Sequence, residues 1–339
     1  MNLLSVCLIV RNEQTWLSGC LDSLRDLAQD VVVIDTGSND QTPNLARRYG
    51  CRVFHHPWTD SFADARNHAV AKARGRWILS IDADERMHLE GTRQELTDLL
   101  RHTSCQAFQA VVISPLTGSG LMSELVPESS FVLTDLRVVL FRNDPQVRYR
   151  HRVHENLWDS LQERYGRDLW VGRAPLWLEH LGYTQDALTL ERKRDRNLEL
   201  LIQERQESGP GPWLDYCLAT ELLGRGEAFK AVTLLEPLVR KHPEVGFWAQ
   251  AASTLAYGYW QTGQWVACRR VCKQVREAGG PLGFGLDFLV RLLDWLDGKT
   301  VAQFLEQYRR RSPDDLTDQV AAVLAWQRML QDLPLWSEE

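Results

Sequence analysis

Through the first hundred residues, unbroken apolar runs alternate with stretches whose apolar residues recur every three or four positions. Leu4 to Val10 is a continuous apolar run and reads as a strand. Trp16, Leu17, Cys20, Leu21, Leu24 and Leu27 then share one face of a helix. Val31 to Ile34 is a second strand, a helix carries Leu45 and Ala46, and a short strand covers Cys51 to Phe54. A longer helix runs from about Phe62 to Ala73, and Trp77 to Ile81 forms a fourth strand. Strands that are apolar throughout and separated by helices predict a parallel sheet covered on both faces. Ligands of such sheets bind at the carboxyl ends of the strands. Polar clusters sit at three of those ends: Arg11-Asn12-Glu13, Asp35-Thr36-Gly37-Ser38 and Asp82-Ala83-Asp84-Glu85.

The pattern then loosens. Phe108–Ile113 and Val138–Phe141 are strand-like, and the alternating Arg148, Arg150 and Arg152 could line one strand face before Val153-His154-Glu155. Residues 184–207 form a charged helical stretch that Gly209-Pro210-Gly211-Pro212 breaks. The predicted division is therefore an α/β domain over 1–208, with 184–207 as linker helix, and an all-α domain over 213–339. The second domain repeats itself. Aligning Gly226 with Gly263 pairs Leu218 with Leu255, Ala219 with Ala256, Ala231 with Cys268, and Leu235 with Cys272. Pro243 and Pro281 close the two units, and a degenerate third centres on Gly298 and ends at Pro313. Small residues at helix crossings, a turn glycine and a closing proline resemble the tetratricopeptide family.

Composition narrows the function classes. With 39 Lys+Arg against 45 Asp+Glu the net charge is −6, which argues against a nucleic-acid binder relying on a positive field. No apolar run is long enough to cross a membrane, and the start reads as a buried strand rather than a signal peptide. The seven cysteines include no Cys-x-x-Cys pair, so reduced, buried thiols and a cytoplasmic location are expected. Thirteen tryptophans suit either helix cores or sugar stacking.

Asp82-x-Asp84 is the central chemical clue: two carboxylates one residue apart at a strand end can share a divalent cation whose other positions suit diphosphate oxygens. Glu13 and Asp35 at neighbouring strand ends can accept hydrogen bonds from a ribose hydroxyl and a base N–H. Asp64-Ala65-Arg66-Asn67 opens a helix, from which Arg66 can bridge Asp35 or Asp82, or reach a phosphate. A plain structural ion pair is the competing reading. A haloacid-dehalogenase-type phosphatase is disfavoured, because its Asp-x-Asp ends the first strand rather than the fourth. A nucleotidyltransferase would carry a glycine-rich loop where Arg11-Asn12-Glu13 stands.

Leu4–Glu13, Val33–Thr42, Ala65-Arg66-Asn67 and Asp82-Ala83-Asp84-Glu85 together resemble family 2 glycosyltransferases of the GT-A fold. With the helical repeats added, the chain resembles a subgroup that includes peptide S-glycosyltransferases of glycocin bacteriocins. The resemblance implies a nucleotide-sugar site at Val10, Arg11, Glu13, Asp35, Asp64, Arg66, Asp82 and Ala83. It implies Mn²⁺ or Mg²⁺ on Asp84, with Asp82 and His180 as helpers. It also puts Glu155 after the last core strand as the general base, with His154 orienting it or replacing it. The expected activity is metal-dependent, inverting transfer of a sugar from a UDP-linked donor to a peptide or protein. A lipid-linked or oligosaccharide acceptor and a non-catalytic repeat scaffold are the alternatives, and a homodimer is compatible with either.

Overall fold

The computed structural model describes residues 2–28, 30–115, 132–182, 187–243 and 245–279. The chain forms two compact units, and the division falls after Leu190.

The first unit is built on an eight-stranded sheet. Its strands are β1 (Leu4–Val10), β2 (Asp30–Asp35), β3 (Arg52–His55), β4 (Trp77–Ser80), β5 (Glu85–Leu89), β6 (Ala107–Pro115), β7 (Val132–Arg142) and β8 (Val171–His180). They lie in the order β3-β2-β1-β4-β7-β6-β8-β5. β3, β2, β1 and β4 are mutually parallel, as expected from their apolar runs. Beyond β4 the sheet is mixed. β7 runs antiparallel to β4 and to β6, β8 is parallel to β6, and β5 is antiparallel to β8. The reason lies in the connections: β5 follows β4 through a tight turn in which the Glu85 N–H bonds the Asp82 carbonyl at 3.0 Å, leaving no room for a crossover helix.

Two cores, one per face, explain why β1 is apolar at every position but Ser5. Leu4, Val6, Leu8 and Val10 join Leu17, Cys20 and Leu21 of α1 (Leu17–Ser23) and Leu96 and Leu100 of α4 (Arg93–His102). Cys7, Val32, Ile34 and Ile78 instead meet Ala63, Ala69 and Val70 of α3 (Phe62–Lys72) and Leu161 of α5 (Trp158–Tyr165). α2 (Thr42–Arg48) links β2 to β3. The buried side of α3 is mostly alanine, so its backbone approaches the sheet closely. Ser61 caps it by accepting the Asp64 N–H.

Two further expectations need correction. Glu155 does not follow the last core strand, because α5 and β8 both come after it. Arg148, Arg150 and Arg152 do not line a strand face: Arg150 makes an isolated bridge with Asn156, Arg148 bonds the Asp144 and Val147 carbonyls, and Arg152 bonds the Asp60 carbonyl.

The second unit contains most of α6 (Ala187–Ser208), then α7 (Pro212–Gly224), α8 (Ala228–Lys241), α9 (Trp248–Gln261) and α10 (Trp265–Glu277). α7–α8 and α9–α10 are the two expected repeats. Their turn glycines, Gly226 and Gly263, have φ of 78° and 74°, which suits a residue without a Cβ. Ala219, Ala256, Ala231, Cys268, Leu235 and Cys272 are all buried at the helix contacts. A Cβ at Gly258 would come within 2.9 Å of Val232, so the second repeat's first helix lies close against α8. Pro281 and the third unit at Gly298 and Pro313 lie outside the described residues. The seven cysteines are buried and form no disulfide. Several tryptophans serve packing: Trp77 is fully buried with its indole N–H on the Leu100 carbonyl, and Trp260 packs edge-on to Trp265. Among the described residues no helix is long and apolar enough to cross a membrane.

Candidate active site

The carboxyl ends of β1 and β2 are laced together. Asn12 adopts a left-handed conformation (φ 59°), which turns the chain so that its N–H meets Ser38 and its side-chain oxygen accepts the Asn39 N–H at 2.8 Å. The Glu13 N–H bonds Thr42 at 2.7 Å, and Thr36 bonds the Val10 carbonyl. Asp35 is buried at the end of β2, accepting the Ser38 N–H at 3.0 Å and lying 3.4 Å from His55. Val10, exposed Arg11, Glu13 and Asp35 thus converge on one sheet edge.

Arg66 is the hub of the next layer. It projects from α3 and is nearly buried. Its Nη2 reaches Asp82 at 2.8 Å, its Nη1 reaches Ser80 at 3.2 Å, and its Nε reaches Glu155 at 2.5 Å. The Tyr149 ring lies beneath the guanidinium at 5.7 Å. Asn67 clamps the Tyr149 backbone with two hydrogen bonds of 2.9 and 2.8 Å, and the Phe62 N–H bonds the Arg152 carbonyl. The segment bearing Glu155 is thereby tied to α3. His154 is exposed beside it with φ 53°; Asp60 and His151 are also left-handed, so strained backbone gathers at this wall. Asp64 faces the rim, where Thr59 and His56 donate to its carboxylate at 2.6 and 2.8 Å. The Thr59 hydrogen bond, opposed by some burial, holds its pKa below the usual carboxylate range.

The turn after β4 carries the paired aspartates. Burial alone would raise the Asp82 pKa, but Arg66 and, at 3.5 Å, Arg137 outweigh it and hold the carboxyl down to about 2. Ala83 is buried between the aspartates. Asp84 turns the other way, 3.5 Å from Nε2 of His180 at the end of β8. Burial opposes protonation of that imidazole. The hydrogen bond and charge of Asp84, with Glu85 and Asp82 behind it, lift it above its ordinary value. Ser114 lies 3.1 Å from the His180 Nδ1 and orients the ring. Among the described residues no group of three His, Cys, Asp or Glu side chains converges as a preformed metal cage. The Asp84–His180 pair still fits a divalent ion that completes its shell from a ligand. Gly182 leaves the cradle open: a Cβ there would press on His180 Nε2 and lie 2.6 Å from Asp84 Oδ2.

Sequence reasoning overlooked Glu85 as a buried partner, and it overlooked Arg137, Ser114 and Tyr149 altogether. Arg137 carries a visible signal, a charge in a strand interior just before the apolar run Val138–Phe141.

Residues 5–131 match the family model described as Glycosyl transferase family 2. That segment is similar to family 2 glycosyltransferase domains. The expected order, an α/β unit followed by helices, is what the chain has. A TPR repeat-containing protein of Synechococcus elongatus is 36% identical over 211 residues, covering 60% of this chain and 49% of that protein. The SPbeta prophage-derived glycosyltransferase SunS of Bacillus subtilis is 26% identical over 203 residues, 57% of this chain and 43% of its own. Among solved structures, S. aureus TarS 1–349 in complex with UDP-GlcNAc is 14% identical with a TM-score of 0.41, covering 82% of this chain and 92% of that one. The chain spans half or less of the length of the first curated relatives it matches. The matched segment holds every donor-site candidate numbered below 90, whereas Glu155 and His180 lie beyond it.

Proposed function

We propose that the chain is a metal-dependent, inverting glycosyltransferase that moves a sugar from a UDP-linked donor to a peptide or protein acceptor. The observation that carries this reading is the division of labour around Asp82-x-Asp84. Asp82 is committed to Arg66 and Arg137, while Asp84 is turned to His180 over an open glycine. Mn²⁺ or Mg²⁺, held by Asp84 and His180, would neutralise the charge that builds on a diphosphate leaving group. Asp35 and Glu13 are placed to accept hydrogen bonds from a nucleoside base and ribose. Arg66 keeps the donor wall and the acceptor wall in register, because one guanidinium holds both Asp82 and Glu155. Glu155 is the general base. It takes the proton of the acceptor nucleophile as that atom attacks the sugar carbon opposite the diphosphate, with His154 beside it. Inversion follows from that single displacement.

The second unit supplies the acceptor reading. Stacked helix pairs hold extended peptides in their concave surfaces, and the Synechococcus relative is itself named for such repeats. The test is a panel of nucleotide sugars with Mn²⁺, scored by donor hydrolysis, followed by intact-mass screening of candidate peptides with the accepted donor. Hydrolysis of no donor would leave the fold standing as a repeat scaffold without this activity.

A further inference from the structure

We infer that Glu85 and Arg137 are positioning residues that set the Asp82–Asp84 turn for a metal-bound diphosphate. This deepens the donor-site reading above and rests on it.

Glu85 opens β5 and is only 1% exposed, so an ionised carboxylate there requires partners. Burial pushes its pKa up, and Arg137 works against that. Arg137 Nη2 donates to both carboxylate oxygens, at 2.6 and 2.8 Å. The Asp82 N–H donates to Glu85 Oε2 at 2.8 Å, while the Glu85 N–H returns to the Asp82 carbonyl at 3.0 Å. Glu85 therefore fastens the turn from its backbone and from its side chain. Arg137 arrives from β7, and its Nη1 lies 3.5 Å from Asp82 Oδ2. One guanidinium thus spans the first carboxylate of the turn and the carboxylate that closes it.

The pair also reaches the far side. Glu85 is the register partner of His180, so the residue that closes the turn sets the strand position from which His180 meets Asp84. An ion pair that served stability alone gains little over apolar packing of the same shape. Here the ionic contacts end on the turn itself. Groups of this kind behind metal ligands change metal affinity by about 10–100-fold when removed.

The experiment uses the full chain with Arg137→Met and Glu85→Gln, and Arg137→Lys as the conservative variant. Thermal melts establish folding. Hydrogen exchange then reports the Asp82 amide, Mn²⁺ titration of the UDP-loaded protein reports the metal, and uridine titration reports the base and ribose pocket. The first two variants should lose protection at the Asp82 amide and weaken Mn²⁺ binding about 10–100-fold. Uridine affinity should stay within about twofold, since Asp35 and Glu13 are untouched. Lysine keeps the charge but not the fork, so Arg137→Lys should recover part of both losses. It carries the comparison at smaller amplitude should methionine not fold. A folded Arg137→Met protein with an unaltered Asp82 amide and unaltered Mn²⁺ affinity overturns the inference. If the wild-type chain binds neither UDP nor Mn²⁺ while the variants still expose the Asp82 amide, the donor reading fails and the positioning of the turn stands.

Discussion

β2 begins and ends with a buried aspartate, and the two have opposite fates. Asp30, at the amino end, is saturated: Ser5 donates at 2.5 Å, Arg52 at 2.7 Å and the Arg74 N–H at 2.9 Å. Asp35, at the carboxyl end, receives one backbone N–H and one imidazole at 3.4 Å. Sequence and burial are alike; position in a parallel sheet is not. At the amino end the loops return and close over the polar groups, giving a lock. At the carboxyl end, where ligands of parallel sheets bind, Asp35 and Asp84 keep acceptor capacity. The lesson is that a buried carboxylate marks a site only where its partners fall short of its acceptor capacity.

Substitutions at the open end should cost activity and those at the closed end stability. The largest effect is expected for Asp84→Asn, which removes the charged metal ligand and should slow donor hydrolysis by about 10³-fold or more, with an unchanged melting temperature. Glu155→Gln should follow with a loss of at least about 10²-fold in transfer. Nucleotide affinity, read by calorimetry, should hold; a parallel fall in affinity would move Glu155 into the donor site. Asp30→Asn should do the reverse, lowering stability by about 2–3 kcal/mol through its charged hydrogen bonds, while the protein that remains folded turns over normally. A chemical-denaturation series with activity at each point separates these outcomes.

Acid unfolding sharpens the same contrast. Burial raises the pKa of Asp30, but hydrogen bonds from Ser5, Arg52 and Arg74 lower it more. Asp82 is held down to about 2, with its burial outweighed by Arg66 and Arg137. Both carboxylates are more acidic folded than unfolded. Their stabilisation is therefore full above about pH 4 and lost as the pH falls toward the folded value. Asp82→Asn should flatten stability against pH between about 4 and 2, and Asp30→Asn should flatten it below about pH 4. The smallest change is expected where the two units are compared. A folded chain ending near Ser208 should keep donor hydrolysis and lose transfer to a peptide far more than to a small surrogate acceptor. Equal loss for both acceptors would make the repeats a brace.

The parallel half of the sheet was legible because β1, β2 and β4 are buried on both faces and so apolar along most of their length. Asp82 was one of the partners expected for Arg66, beside Asp35 and a phosphate, and His180 was expected to return to the metal. The rest left no local trace. β5 and β8 mix charge, proline and apolar residues, and the one follows a four-residue turn while the other follows α5. Arg66 meets Glu155 across 89 positions and Arg137 meets Glu85 across 52, distances over which no periodicity operates. The repeat showed itself because its two glycines and their small neighbours recur in register.

The central claim is that Asp84 and its surroundings form a metal-dependent donor site. The most direct test is release of UDP from a hydrolysed UDP-sugar, followed in one sample through addition of Mn²⁺, then excess chelator, then Mn²⁺ again. The account predicts release that starts with metal, stops with chelator and resumes on replenishment. Turnover that continues unchanged in excess chelator would contradict it.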